Sequence, residues 1–123
     1  MKINTACVET ILTRFIRTEL SRFGYKNGIL GLSGGIDSTV SAFLSARALG
    51  PEHVIALLMP YGEAFQQDTE DARTVAEALG IRTELIDIAP SVDAYYSRYA
   101  TDNRVLKGNK MARERMSILY DFS

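Results

Sequence analysis

Between Thr5 and Phe23 apolar residues recur every three or four positions (Val8, Ile11, Leu12, Phe15, Ile16, Leu20, Phe23), the spacing of an amphipathic helix that Gly24 can end. The pattern then changes. Gly28 to Leu32 (GILGL) is short, apolar and uncharged, as expected of a strand buried on both faces inside a parallel sheet. Asp37 to Leu49 reads as a helix stopped by Gly50, Val54 to Met59 (VIALLM) as a second buried strand, and Asp68 to Leu79 as a helix closed by Gly80. Ile81 to Ile88 supplies a third strand. Past Pro90 the pattern predicts a short helix through Tyr95, Tyr96 and Tyr99, a polar loop from Thr101 to Lys107, and a last helix from about Asn109.

Strands alternating with helices of this length predict an α/β fold with a parallel sheet and helices on both faces. The 123 residues, 46% of them hydrophobic, have room for one domain spanning 1–123. With only three strands the sheet is expected to be small, one of its faces hard to cover, and the domain incomplete at its C-terminus. Fourteen Lys plus Arg against fifteen Asp plus Glu leave a net charge of -1, which gives no basic excess for nucleic acid or an anionic membrane. The lone Cys7 forms no internal disulfide, and with one histidine, His53, the chain cannot assemble a four-ligand Cys/His zinc site. A cytoplasmic protein is expected.

The chemistry concentrates in Leu32-Ser33-Gly34-Gly35-Ile36-Asp37-Ser38-Thr39, between a strand and the start of a helix. Ligands of open parallel sheets bind there, beyond the carboxyl ends of the strands. Two glycines let the backbone turn sharply and bring consecutive N–H groups to an anion; the helix N-terminus and the hydroxyls of Ser33, Ser38 and Thr39 add to the attraction. There is no Gly-Lys-Ser/Thr of a Walker loop and no Gly-x-Gly-x-x-Gly. An aspartate in a phosphate site repels its ligand unless a cation intervenes, so Asp37 reads as a Mg²⁺ ligand. The plainer alternative is that Asp37 or Ser38 merely caps the helix.

Ser33-Gly34-Gly35-Ile36-Asp37-Ser38 resembles the SGGxDS signature of the N-type ATP pyrophosphatases, the PP-loop family. The resemblance implies a Rossmann-like fold of the adenine nucleotide alpha hydrolase kind, ATP cleaved between its α and β phosphates, and AMP transferred to a substrate oxygen. It implies an ATP site made by Gly31, Leu32, Ser33, Gly34, Gly35, Ile36, Asp37, Ser38 and Thr39, with adenine near Leu58 and Met59. For Leu57 to Met59 the apolar pattern fits plain core equally well.

A second stretch, Lys107-Gly108-Asn109-Lys110-Met111-Ala112-Arg113-Glu114-Arg115-Met116 continuing to Tyr120, resembles the GN-x-x-AR-x-RM-x-x-LY segment of NAD synthetases, as do Leu58 to Tyr61 and Asp68 to Ala72. The resemblance runs from about Gly28 to the end and is specifically to the NH3-dependent members. It implies amidation of deamido-NAD through an adenylate, with ATP, deamido-NAD and ammonia as substrates and a homodimer as the assembly. The family's second metal-binding carboxylate and its phosphate-contacting threonine and lysine have no counterpart in these residues, so a chain ending at Ser123 is expected to lack synthetase activity.

At 100° per residue, Met111, Ala112, Met116, Ile118, Leu119 and Phe122 fall on one arc of the last helix with Arg115 near its middle, while Arg113 points away. A guanidinium in an apolar stripe is paired or faces an anion. Arg115 is therefore the better candidate for gripping deamido-NAD, with Arg113 the lesser; an ion pair from Arg115 to a carboxylate such as Asp87 is the structural alternative. His53 reads as surface, Cys7 as packing and the tyrosines as core and helix surface, and no residue reads as a covalent nucleophile. The rival functions are another PP-loop adenylating enzyme (tRNA-thiolating, lysidine-forming, GMP-synthesising or argininosuccinate-forming) and a nucleotide-binding fragment without catalysis.

Overall fold

The structure, a computed structural model, describes residues Met1–Ser123. Helix α1 (Thr5–Arg22) leads into strand β1 (Gly28–Gly31), α2 (Ile36–Leu49), β2 (Val54–Leu58), α3 (Gln66–Leu79), β3 (Arg82–Leu85), α4 (Ala89–Tyr96) and α5 (Arg104–Phe122). The three strands are parallel in the order β1-β2-β3, with Gly31 opposite Leu57 and Leu57 opposite Glu84. The α/β reading holds.

Alternation along β2 sorts its side chains to two cores. Val54, Ala56 and Leu58 face α2 and α3, where Ala42, Ala46, Ala72 and Ala76 let the helices sit close to the sheet. Leu57 and Met59 face the other way with Ile88 and Val92, under Met111, Ile118 and Leu119 of α5. Val54, Leu57, Ile88 and Val92 are the largest fully buried side chains, each contributing roughly 1.5–3 kcal/mol of transfer free energy. Both faces of the sheet are thus covered, contrary to expectation; what lies open is an edge.

That edge is β1. Its four residues are only partly buried, and beside it runs an open cleft of about 1060 Å³ walled by Ile16 and Leu20 of α1, Leu49 of α2 and Phe122 of α5. The other edge, β3, carries Arg82 and Glu84, which pair with each other.

Several boundaries move. The third strand is half the length its apolar pattern predicts, because the chain turns at Asp87 into α4. The last helix begins five residues early: Asn103 caps it, its side chain accepting the N–H groups of Val105 and Leu106, and Gly108 is carried inside. In α1 the partly buried positions are Glu9, Thr13, Ile16, Glu19 and Leu20. Arg17 donates to the Ala48 carbonyl (2.9 Å) and Arg47 pairs with Glu9 (2.9 Å). Of the predicted apolar face, Ile16 and Leu20 are partly buried while Val8, Ile11, Leu12, Phe15 and Phe23 are exposed, as is Cys7, which was expected to pack. On α5, Ala112, Met116 and Phe122 are exposed while Glu114 joins Met111, Arg115, Ile118 and Leu119 on the packed side. No helix is long and apolar enough to cross a membrane.

Candidate nucleotide site

Ser33 to Ser38 leaves the carboxyl end of β1 and enters α2 at Gly35, whose backbone is extended and supplies no side-chain cap. Gly34 has φ +86°, and a Cβ there would overlap the Asp68 carbonyl oxygen. Glycine is required at this position on both counts: the first turn of α3 rests directly on the loop. At Gly31 the fit is close for a different reason: a Cβ would lie 3.2 Å from Met59 Cε and 3.8 Å from Leu119, where α5 crosses the strand, so a larger residue requires the Met59 side chain to give way.

The loop is braced by its own side chains. The Ser33 N–H donates to Ser38 Oγ (3.1 Å), the Gly35 N–H to Ser33 Oγ (3.3 Å), and the two hydroxyls lie 3.0 Å apart. Thr39 Oγ1 donates to the Gly35 carbonyl (2.8 Å), as Ser38 Oγ can (3.2 Å). These hydroxyls shape the loop; the Thr39 hydroxyl turns inward, against the expectation that it adds a donor for phosphate. By contrast the N–H groups of Gly34, Ile36, Asp37 and Ser38 have no partner in the chain. They lie outside the sheet ladder, at the positive end of α2, as an anion cradle does.

Asp37 is exposed in the first turn of α2, and its carboxylate makes no hydrogen bond or ion pair within the chain. No three acidic, His or Cys side chains come together to form a closed metal site. One free carboxylate beside a phosphate cradle suits Mg²⁺, which takes one or two protein carboxylates and completes its shell with phosphate oxygens and water. Ile36 is also exposed, on the outer side of the loop.

At the end of β2 the side chains of Leu58 and Met59 are core, as is that of Leu32, leaving only backbone to meet a ligand. The Leu58 carbonyl accepts the Ile86 N–H (2.8 Å), and the Met59 carbonyl accepts Arg115 Nε (2.9 Å). The Met59 N–H has no partner in the chain. It is the one free donor of this strand end, beside the loop.

Arg115 reaches the same place from α5. Burial lowers its pKa, and its Nη groups have no partner in the chain. The alternative ion pair to Asp87 is not made: Asp87 Oδ1 accepts the N–H groups of Gly62 and Ala89 (2.8 Å each), bonds that hold its pKa below the usual carboxylate range. Arg113 is exposed, away from this cluster. Glu114 accepts from Lys110 (3.0 Å), and this bond, with the Ser91 hydroxyl nearby, lowers its pKa. His53 lies at the opposite end of the sheet, in contact with Asn27 (2.8 Å).

Sequence reasoning missed the links between these segments. Tyr61 donates to Asp93, and Asp87 grips Gly62, so the connection from β2 to α3 is tied to the turn entering α4. A short side-chain acceptor ahead of Ala89-Pro90 is the only local trace of this.

The family model described as NAD synthase matches residues 8–123. The NH(3)-dependent NAD(+) synthetase of Trichlorobacter lovleyi is 46% identical over the whole chain, which covers 45% of that protein. Among solved structures, the NH3-dependent NAD synthetase of Campylobacter jejuni superposes with a TM-score of 0.93 at 35% identity, over 99% of this chain and 53% of its own. The NMN synthetase of Francisella tularensis gives 0.89 at 31% identity, over 98% and 50%. The chain therefore spans about half the length of the relatives it matches, and with 116 residues inside the profile, a signature loop at the end of β1 and the same fold, it belongs to the NAD synthase family.

Proposed function

We propose that this chain carries the ATP-activating part of an ammonia-dependent NAD synthetase, which amidates deamido-NAD through an adenylate. The observation that carries the reading is the set of unpaired amides at Gly34, Ile36, Asp37 and Ser38, opposite the free Met59 N–H and the Arg115 Nη groups. A carboxylate resists ammonia because its charge repels the nucleophile and oxide does not leave. Attack of the nicotinate carboxylate oxygen on the α-phosphorus forms the mixed anhydride as the bond to diphosphate breaks; ammonia then displaces AMP, losing a proton.

In this reading the loop amides hold the β and γ phosphates and stabilise the charge gathering on diphosphate as it departs. The Met59 N–H donates to an acceptor on the adenine edge. Arg115 uses its Nη groups on an anionic group of deamido-NAD, in a position Nε fixes against Met59, with Arg113 left to meet the ligand's outer parts. Mg²⁺ would be held by Asp37, and when bound it neutralises phosphate oxygens and orients them. No residue of the chain serves as a covalent nucleophile. We assign the protein to the cytoplasm, where a lone exposed thiol such as Cys7 stays reduced, and to a homodimer through its uncovered helix faces. Neither nucleic acid nor membrane is a partner in this reading.

The test is titration with ATP in the presence and absence of Mg²⁺, then incubation with ATP, Mg²⁺, ammonium and either deamido-NAD or nicotinate mononucleotide. ATP binding that Mg²⁺ strengthens is expected, and Asp37→Asn should remove most of that strengthening, about tenfold, with the melting temperature unchanged. Unaltered Mg²⁺ dependence in Asp37→Asn removes the metal role. NAD and AMP from deamido-NAD establish the full activity in this chain, whereas NMN from the mononucleotide moves the assignment to the F. tularensis type. ATP binding without AMP leaves a nucleotide-binding part.

A further inference from the structure

The segment from Met59 to Asp68 forms one wall of the nucleotide site. It starts at the free Met59 N–H and ends where the Asp68 carbonyl lies against Gly34. From Pro60 to Phe65 it has no strand or helix of its own, yet its course is fixed. Backbone bonds extend the sheet past its last strand residues, Ile86 N–H to Leu58 (2.8 Å) and Ile88 N–H to Pro60 (2.9 Å). Then a single carboxylate oxygen, Asp87 Oδ1, takes two N–H groups, that of Gly62 in the connection and that of Ala89 in α4, each at 2.8 Å. Tyr61 is tethered to Asp93 of α4 as well.

The far part of the connection shows that this course is imposed. Phe65 is the chain's one non-glycine residue with positive φ, at φ 60° and ψ 42°, and its ring is largely exposed, so no packing of its own rewards the conformation. A left-handed phenylalanine persists only where the chain on either side over-determines it. On one side that constraint is α3, seated on Gly34. On the other it is the pair of bonds to Asp87.

We propose that Asp87 is a positioning residue for the nucleotide: by holding Gly62 to the start of α4 it sets both the strand end that meets the base and the helix start that supports the phosphate loop. The role rests on the ATP-site reading above, and it belongs to geometry, not to charge. Both bonds end on the same oxygen, and an asparagine amide presents an oxygen in the same place.

This predicts an order of variants that a metal-binding or phosphate-repelling carboxylate would not give. Asp87→Ala should weaken ATP binding about tenfold or more and release the Gly62 and Ala89 amides to rapid hydrogen exchange. Asp87→Asn should restore both to near the parent values. Asp87→Glu, which keeps the charge but moves it by a methylene, should resemble the alanine variant, and it carries the test if Asp87→Ala fails to fold. The measurements are ATP titration and amide exchange on the same samples of the full chain. Parent-like ATP binding by Asp87→Ala or Asp87→Glu once Gly62 exchanges freely overturns the proposal, as does an Asp87→Asn variant as weak as alanine. A parent chain that binds no ATP while Gly62 and Ala89 remain protected sinks the nucleotide reading instead, with the tether itself intact.

Discussion

Two segments flank the candidate nucleotide site and are held in opposite ways. The loop from Ser33 to Ser38 is shaped from within, by two serine hydroxyls bonded to each other and to amides at most five residues away. The connection from Pro60 to Phe65 has one turn bond of its own, Ala64 N–H to Tyr61, and its side-chain bonds come from without: Asp87 is 25 residues from Gly62, and Asp93 is 32 residues from Tyr61. A self-braced loop keeps its form wherever a strand and a helix present its ends. A tethered one inherits its form from the packing of α4 and α5, and it loosens when they do.

The sharpest way to break the local half of this contrast is Gly34→Ala. The new methyl meets the Asp68 carbonyl in a left-handed conformation, so either the loop or α3 must move. We expect ATP binding to be lost and stability to fall by roughly 2–4 kcal/mol, read from a denaturant titration. On the tethered side, Arg115→Ala removes the bond to the Met59 carbonyl together with the free Nη groups. Deamido-NAD binding should drop by about ten- to a hundredfold and ATP binding by less, in calorimetric titrations. Equal loss of both would mean that Arg115 serves the fold alone.

A smaller effect of opposite sign is expected at the strained end of the tether. Phe65→Gly relieves a left-handed conformation in an exposed residue, and should raise stability by about 0.5–1 kcal/mol while leaving ATP binding within a few-fold. If Phe65→Gly instead abolishes ATP binding, the ring itself touches the ligand. The smallest effect concerns pH. The Asp87 carboxyl is held below its ordinary pKa first by the Ala89 N–H and then by that of Gly62, and Glu114 is lowered by Lys110 and Ser91. A lowered folded-state pKa adds stability that is fully present above the unfolded value, near pH 4 for such groups, and is lost as pH falls through the folded value. Thermal unfolding should therefore be flat with respect to these two groups from pH 7 to about pH 5 and weaken below pH 4. Asp87→Asn should flatten part of that acid limb.

The same contrast explains what could be read from the chain alone. The turn from β1 into α2 was legible because its glycines and bracing hydroxyls lie within eight consecutive residues, and the strand-helix alternation because each element states its own period. The end of β3 was not: Ile86 and Ile88 continue the apolar pattern and still bond to Leu58 and Pro60, and the turn into α4 is marked only by Asp87 accepting the Ala89 N–H. Asn103 was a missed local signal, a side-chain acceptor two and three residues ahead of the amides it caps, hidden by Gly108. For α1 the period gave the helix but only part of its packed face: Ile16 and Leu20 are partly buried, while the rest of the apolar stripe is exposed and Arg17 and Glu9 make the bonds to α2.

The bare rim of the sheet has a practical side. Because residues alternate along a strand, and Leu32 already gives its N–H to Leu57, the main-chain groups of Ile29 and Gly31 point outward with no lysine, proline or bulge to discourage company. Concentrated solutions of this polypeptide should consequently self-adhere along that line, so light scattering across a dilution series belongs before any titration.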